Sequence, residues 1–351
     1  MNPNFSTIIQ ADDDERRDLF LTAAARLGTA VQNVEKDFWV CWILDVLFNG
    51  LPPGGPRLLF KGGTSLSKAF GLISRFSEDI DITVFRDDLG EPIKAAELDG
   101  LSGKQRRIRL DRIRAACQRY IAENMAVQLR EMAARAIPTE LFRVDLDPDD
   151  PDQQTLLFWF PTVTSAPDDY IRSAVKIEVG AKSALDPHET STVTPYIAAD
   201  LHDLDMTVLN VTTVKPERTF WDKIIIVHGL RQWHERRGQL RHEGQRVSRH
   251  YYDIYRLLQH DKASAWLANH ALAQDCAQHA RLFFGSPDLG LDKAAHGSFT
   301  LMPSQPMREA LDRDYVAMSG MIFGSLPDID EVERVIETLE SRLNDAQAQR
   351  R

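Results

Sequence analysis

One segment of the sequence combines residue types that can bind phosphate groups. Gly62 and Gly63 follow the apolar run Leu58–Phe60, and the hydroxyl residues Thr64 and Ser65 come directly after them. A glycine pair allows a sharp turn and lets the backbone approach a phosphate closely. A helix that begins at Thr64 would add its N-terminal N–H groups and the positive end of its dipole. The segment therefore predicts a phosphate-binding turn.

A second segment predicts a strand that carries two carboxylates. Asp79 and Asp81 lie two residues apart in an alternating stretch, so both side chains project from one face while Ile80 and Ile82 point into a core. Hard divalent cations prefer oxygen ligands. Paired cations can activate an attacking oxygen and neutralise a leaving pyrophosphate. Either pattern is common by itself in turns or on solvated strands, so the prediction depends on the succession of the two.

Both helices and strands must position these residues. Helices are predicted within 14–49 (two of them) and over about 102–136, 216–232, 248–259, 262–283, 306–323 and 329–346. Strands are predicted at 58–60, 79–84, 141–145, 156–160, 175–179 and 206–214, the third and fourth as a hairpin. We therefore expect an α+β fold with a helical segment over 1–50, a mixed-sheet core over 51–214 and a mostly helical domain over 215–351.

The composition limits the cellular setting and the possible partners. The 351 residues have a formal net charge of −10, and no apolar stretch reaches the roughly 18 residues needed to span a membrane. The N-terminus lacks a secretory layout and the three cysteines are scattered, which favours the cytoplasm. Contacts with nucleic acid would have to come from local basic patches, for which 104–114 and 231–250 are the candidates. Solvated helix faces are the alternative for both.

The segment KGGTSLSKAFGLISRFSEDIDITV resembles the nucleotidyltransferase superfamily, in which a strand, a glycine turn and a helix precede an Asp-x-Asp strand. Its Lys-Gly-Gly-Thr turn and Ser-x-Asp-hydrophobic-Asp strand are similar to those of the AbiEii/AbiGii toxin family. Weaker similarity in PERTFWDK and SRHYYDIYRL extends the resemblance over most of the chain. It implies transfer of NMP from an NTP with release of pyrophosphate, and Mg²⁺ or Mn²⁺ as the cofactor. It further implies an RNA acceptor, such as a tRNA 3′ end, and an AbiEi-like antitoxin.

The resemblance also implies a third carboxylate on a later strand. Glu178 is the best candidate, because valine and isoleucine occupy one face of its strand and leave Lys176 and Glu178 on the other. A charged pair on a solvated strand face is the alternative. Asp168 and Asp169 are further candidates.

Two lysines and a further aspartate take their roles from the same resemblance. Lys61 would join the glycine turn in binding the nucleotide. Lys223 would bind the triphosphate as a point charge, and a surface lysine beside Trp221 is the alternative. Asp253 would support or complete the active site, and an ion pair within its own helix is the alternative.

Two other functions stay open at this point. The first is nucleotidylation of a protein or a small molecule in place of RNA. The second is a non-catalytic module that binds nucleotide or RNA. The sequence specifies neither the NTP, nor the oligomeric state, nor whether the antitoxin binds directly.

Overall fold

The structure, a computed structural model, describes residues 1–164, 173–241 and 246–345. The chain forms two compact units. The first comprises Met1–Gly71, Arg75–Lys94 and Gly100–Val214, and the second comprises Leu72–Ser74, Ala95–Asp99 and Lys215–Arg351. Both helices and a mixed sheet are present, which confirms the expected α+β class. None of the described helices has the length and hydropathy of a membrane span.

Helices occur in both units. In chain order they are α1 (Asn4–Gln10), α2 (Asp13–Leu27), α3 (Val31–Asp45), α4 (Gly62–Lys68), α5 (Ala95–Asp99), α6 (Gly103–Tyr120), α7 (Ala126–Ala134), α8 (Pro216–Arg237), α9 (Arg249–Leu258), α10 (Ala263–Ala268), α11 (His270–Phe283), α12 (Gln305–Ala317) and α13 (Ile329–Asn344). Single π-helical turns follow α3 and α6 directly.

The strands of the first unit form one sheet. They are β1 (Leu58–Lys61), β2 (Asp79–Val84), β3 (Arg143–Leu146), β4 (Thr155–Trp159), β5 (Ala174–Gly180), β6 (His188–Val193) and β7 (Val208–Val214). Their spatial order in the described residues is β3-β4-β5-β2-β1-β7-β6. The pairs β2–β5 and β1–β7 are parallel and the other pairs are antiparallel. The strand with two carboxylates therefore lies in the middle of the sheet.

Helix α3 is the centre of the core of the first unit. Its aromatic residues Trp39 and Trp42 are about 1% exposed and pack against the sheet. The Trp39 ring stacks on Phe160 with centroids 5.4 Å apart, and the Trp42 ring lies 5.3 Å from that of Phe158. Aromatic pairs at these distances add to the free energy gained by burying their area. This packing holds α3 against strand β4, which pairs with β5.

In the second unit, helix α8 is the centre of the core, as α3 is in the first. Phe220, Trp221 and Ile224 are fully buried, as the helical period predicts. The Trp221 indole N–H donates to the carbonyl oxygen of Trp266 at 3.0 Å. A buried indole is stabilised by such a partner, so the interior of this unit is specific as well as apolar.

Three details differ from the sequence-based expectations. Helix α4 begins at Gly62 and not at Thr64, so both glycines belong to its first turn. The helix expected over 262–283 is interrupted at Asn269, whose side chain accepts the Leu272 N–H at 3.1 Å and caps α11. Strand β6 was not predicted, because the mostly polar sequence HETSTV at the edge of the sheet lacks a clear apolar alternation.

Candidate active site

The turn between β1 and α4 places a carboxylate against its first glycine. Gly62 has a φ of +80°, a conformation that residues with a side chain rarely adopt. A Cβ atom added at Gly62 would lie 2.0 Å from Asp81 Oδ2. Glycine is therefore required both by the backbone and by its neighbour. The glycine turn and a predicted metal-binding carboxylate occupy one place in the structure.

The two hydroxyl residues after the glycines are buried and bond to the protein itself. Thr64 Oγ1 donates to the carbonyl oxygen of Asp79 and lies 2.8 Å from Ser77 Oγ. Ser65 Oγ donates to the carbonyl oxygen of Gly62 at 2.9 Å. The sequence suggested both hydroxyls as phosphate donors, whereas here they fix the turn against β2. The backbone N–H groups are then the donors that this turn can offer.

Three charged side chains from adjacent strands form a row on one face of the sheet. The register places Asp81 of β2 opposite Lys61 of β1 and opposite Glu178 of β5. Neighbouring strands are roughly 4.8 Å apart, so these side chains begin within reach of one another. Ile80 and Ile82 are fully buried on the other face, as their alternation predicted.

A second row crosses the same face two residues earlier, where Asp79 lies opposite Lys176 of β5. Lys176 Nζ lies 2.9 Å from Glu178 Oε1, so it bridges the two rows. On β1, β2 and β5, this face thus carries three carboxylates and two lysines. The other candidates for the third carboxylate, Asp168 and Asp169, lie outside the described residues.

The pKa of the Asp79 carboxylate is clearly raised above its ordinary value. Burial, together with the negative charges of Glu78 and Glu178, raises the pKa of Asp79 to about 7, whereas Lys36 opposes the shift. A cation that binds beside Asp79 would lower this pKa, because it stabilises the ionised form.

The chemistry of these residues fits a divalent cation, although their side chains do not converge on one point. In the described part of the chain, no three carboxylate, histidine or cysteine side chains lie close enough to hold an ion together. Asp81 and Glu178 each contact a lysine instead: Lys61 Nζ lies 3.3 Å from Asp81 Oδ1, and Lys176 contacts Glu178 as described. The backbone register brings the carboxylates together, so the donor set suits a hard cation once these ammonium groups move.

Two ion pairs that the sequence did not predict attach helix α3 to the site. Lys36 Nζ lies 2.6 Å from Glu78 Oε2, next to the Asp79 carboxylate in the chain. Asp37 Oδ1 lies 2.6 Å from the Nζ of Lys68 at the end of α4, and both side chains are about 2–3% exposed. The available signal was the charged triplet Glu35-Lys36-Asp37 inside an otherwise apolar helix.

Arg75 is a further residue that the sequence analysis did not select. Its side chain is 2% exposed, and a Cβ atom added at Gly63 would lie 2.4 Å from its Nη2 atom. The guanidinium group therefore packs directly against the second glycine of the turn. It brings a permanent positive charge to the segment where phosphate was expected.

Lys223 and Asp253 meet in the second unit. Lys223 Nζ on α8 lies 2.7 Å from Asp253 Oδ2 on α9, and both residues are buried. The alternative of a surface lysine beside Trp221 is therefore wrong. A buried charged pair with this contact fixes the position of the ammonium group.

The arginines of α6 are largely engaged with acids. Arg109 and Arg112 both contact Glu91, the second at 3.3 Å, and Arg114 lies 2.7 Å from Asp111. Such pairs neutralise part of the positive charge that phosphates would otherwise meet. The basic sequence 104–114 is therefore a weaker electropositive surface than its composition suggests.

The second basic stretch has similar contacts in its described part, which excludes 242–245. Arg231 lies 3.1 Å from Glu235, and Arg237 contacts Asp288. The Arg237 and Arg241 guanidinium groups also lie over the Trp233 ring, 5.6 and 5.4 Å from its centroid. Trp233 therefore packs between arginines of its own unit.

Comparison with known proteins identifies the family and a similar fold. A sequence model described as "Nucleotidyl transferase AbiEii toxin, Type IV TA system" matches residues 45–341. The fold is similar to that of MenT4, a nucleotidyltransferase toxin from Mycobacterium tuberculosis H37Rv, with a TM-score of 0.51 and 15% identity over 95% of this chain and 92% of that chain. No protein of curated function matches the sequence. Because the family match covers most of the chain, this protein belongs to the AbiEii nucleotidyltransferase toxins of type IV toxin–antitoxin systems.

Proposed function

We propose that this nucleotidyltransferase toxin transfers a nucleoside monophosphate from an NTP to an RNA, with a tRNA 3′ end as the acceptor. Mg²⁺ or Mn²⁺ is the cofactor, and Asp79, Asp81 and Glu178 are its ligands. The reaction takes place in the cytoplasm, where NTPs and tRNA are abundant. An AbiEi-like antitoxin, encoded separately, restrains the toxin in the cell.

The observation that supports this proposal most is the contact of Asp81 with the glycine turn. Asp81 Oδ2 fills the space where a Gly62 side chain would be, and Asp81 lies opposite Glu178 across the parallel strands. A nucleotide bound at the turn would therefore have its phosphates beside two carboxylates. That is the arrangement required by a cation that must contact both protein and triphosphate.

The roles of the residues of the first unit follow from this arrangement. The backbone of Gly62 and Gly63 binds phosphate oxygens, while Thr64 and Ser65 keep the turn in place. Lys61 contributes a positive charge at the same turn. An acceptor hydroxyl attacks the α-phosphorus in line, the bond to the bridging oxygen breaks, and pyrophosphate leaves. When bound, the cations neutralise the charge of the triphosphate and make the attacking oxygen a better nucleophile. Most of the rate then comes from positioning and charge neutralisation.

For the second unit, we propose that Lys223 binds a phosphate and that Asp253 sets the position of its ammonium group. The contact of 2.7 Å between them supports this division of roles. Since Asp253 acts through Lys223, it is a positioning residue. Replacing Lys223 with methionine should raise the KM for NTP, and Asp253→Asn should do so to a smaller degree.

A direct assay of label transfer from NTP to tRNA tests the proposed acceptor. Purified protein is incubated with each NTP labelled at the α-phosphate, with Mg²⁺, and with total tRNA. We expect label in the tRNA with one NTP in particular, and loss of that label with EDTA or with Asp81→Asn. Asp145→Asn, which removes a partly exposed carboxylate from edge strand β3, is the matched control and should keep the activity.

The same assay separates the alternative acceptors. Label that enters protein or a small molecule, and not RNA, would replace the RNA acceptor with one of these. Incorporation that survives both Asp79→Ala and Asp81→Ala would contradict the metal-binding role of β2. NTP binding without pyrophosphate release from any acceptor would favour the non-catalytic module.

A further inference from the structure

Two of the three carboxylates assigned to the metal have a lysine as their present partner. Asp81 and Lys61 are directly opposite in the antiparallel register of β1 and β2, with Nζ and Oδ1 3.3 Å apart. Glu178 contacts Lys176, two residues before it on β5, at 2.9 Å. A divalent cation and an ammonium group would compete for the same oxygen atoms.

Lys176 also has a second carboxylate within reach. Asp147, which follows β3, is 6% exposed, and its Oδ2 lies 3.9 Å from Lys176 Nζ. Its other oxygen, Oδ1, accepts the Asp149 N–H at 3.0 Å, so the carboxylate is held in place. A small movement of the lysine would therefore exchange Glu178 for Asp147 without leaving the ammonium group unpaired.

We propose that Lys61 and Lys176 occupy the metal ligands of the free enzyme and that cation binding moves Lys176 from Glu178 to Asp147. Lys61 leaves Asp81 at the same time, and it contacts the phosphates at the glycine turn once a nucleotide is bound. This inference rests on the proposed function, because it assumes that Asp81 and Glu178 hold the cation. Lys176 and Asp147 are then positioning residues that set how tightly the cation binds.

The charges on this face give a physical reason for the arrangement. Three carboxylates on adjacent strands repel one another when no cation is present, and the two lysines offset this repulsion. Burial lowers the pKa of Lys176, but Glu178, Asp79 and Asp147 together raise it by more, so the ammonium group stays protonated at neutral pH. To bind, the cation must displace the two lysines from these carboxylates, and this requirement lowers its affinity for the site.

The test measures Mn²⁺ binding by electron paramagnetic resonance, with the full chain and the metal alone. Lys176→Met should tighten Mn²⁺ binding by about fivefold, the factor that corresponds to a strong partly exposed ion pair. Asp147→Asn should weaken it, because Lys176 then has no second carboxylate and stays on Glu178. Lys104→Met removes an exposed lysine of α6 and is the matched control, with no expected change.

A general change in electrostatic field would also alter Mn²⁺ affinity, so the double variant is decisive. A field effect makes the two substitutions additive. If Lys176 moves to Asp147, then Asp147→Asn should weaken binding in the wild type and have almost no effect in the Lys176→Met background. Melting temperatures establish that all variants are folded.

The outcomes distinguish this inference from the proposed function. Additive effects of the two substitutions, with Mn²⁺ binding that is abolished by Asp81→Asn, would overturn the exchange of partners alone. Mn²⁺ binding that Asp81→Asn leaves unchanged would overturn the metal site and the inference together. Non-additivity with loss of binding in Asp81→Asn supports both.

Discussion

At the scale of single residues, the candidate site depends on neighbours that are distant in sequence. The sequence predicted the glycine pair from its place after an apolar run, and Asp79 and Asp81 from their alternation. It could not show that Gly62 must be glycine because the Asp81 carboxylate fills the space beside it. Such a requirement arises from tertiary packing, which no local pattern encodes.

The Gly62 contact predicts the effect of one added methyl group. Gly62→Ala should cost about 1–2 kcal/mol for its positive φ and should also displace Asp81, with a loss of activity of about 100-fold. Gly54 is a matched control, because its φ is +90° and a Cβ atom there would meet nothing within 4 Å. Gly54→Ala should lose similar stability and keep its activity. Equal activities of the two variants, measured with labelled NTP, would contradict the proposed role of Asp81.

At the scale of elements, the sheet and most helices could be predicted, but the contacts between them could not. The alternation of Ile80 and Ile82 and of Val175 and Ile177 identified β2 and β5, which are central strands with a strong apolar signal. The charged residues of α3 gave no such signal, because periodicity records which residues are apolar and not which charges are paired. Their partners, Glu78 and Lys68, follow only from the packing of α3 against the site.

The buried pair of Asp37 and Lys68 should be essential for the attachment of α4 to α3. Asp37→Asn or Lys68→Met should each lower the free energy of unfolding by about 3–5 kcal/mol, since each leaves a buried group without its partner. Asp37→Asn with Lys68→Met should cost less than the sum of the two. Urea unfolding of the four proteins gives the coupling free energy. Strict additivity would show that the two side chains do not interact in solution.

In the second unit, the hydrogen bonds of His228 predict a dependence of stability on pH. Its Nε2 faces the Gly290 carbonyl oxygen at 3.1 Å, and its Nδ1 accepts the Thr300 N–H at 3.1 Å, which requires the neutral ring. Burial lowers the pKa of His228, while Asp292 and Glu340 partly oppose the shift. The unfolded chain has the ordinary pKa of about 6.5, so it binds more protons below that pH.

The contribution of His228 is therefore complete above about pH 6.5 and is lost as the pH falls towards its folded-state pKa. Hydrogen exchange of α8 peptides, corrected for intrinsic rates, measures this from about pH 8 to pH 5. The His228→Gln variant should be less stable than the wild type at about pH 8, and its stability should depend less on pH. An unchanged dependence in this variant would assign the effect to other groups, such as His296, whose pKa is also lowered.

At the scale of the whole molecule, charge decides how an acidic protein binds an acidic polymer. The formal net charge is −10, so the RNA acceptor of the proposed reaction would have to be held by local positive groups. The sequence suggested 104–114 for this role, with six basic residues and one acid. Sequence alone could not show that Glu91, which lies outside this stretch, pairs with two of its arginines.

These ion pairs predict a shallow dependence of tRNA binding on salt. If all the basic residues of 104–114 contacted phosphates, the slope of log Kobs against log salt would be about −5, whereas we expect about −2 between about 50 and 200 mM. Glu91→Gln should release Arg109 and Arg112 and make the slope steeper by about 2, because each freed arginine can then neutralise one phosphate. Glu123→Gln removes an exposed acid of the same unit and should leave the slope unchanged. A wild-type slope near −5, measured by fluorescence anisotropy and unchanged by Glu91→Gln, would mean that tRNA breaks the arginine pairs, and that α6 is a full phosphate-binding surface.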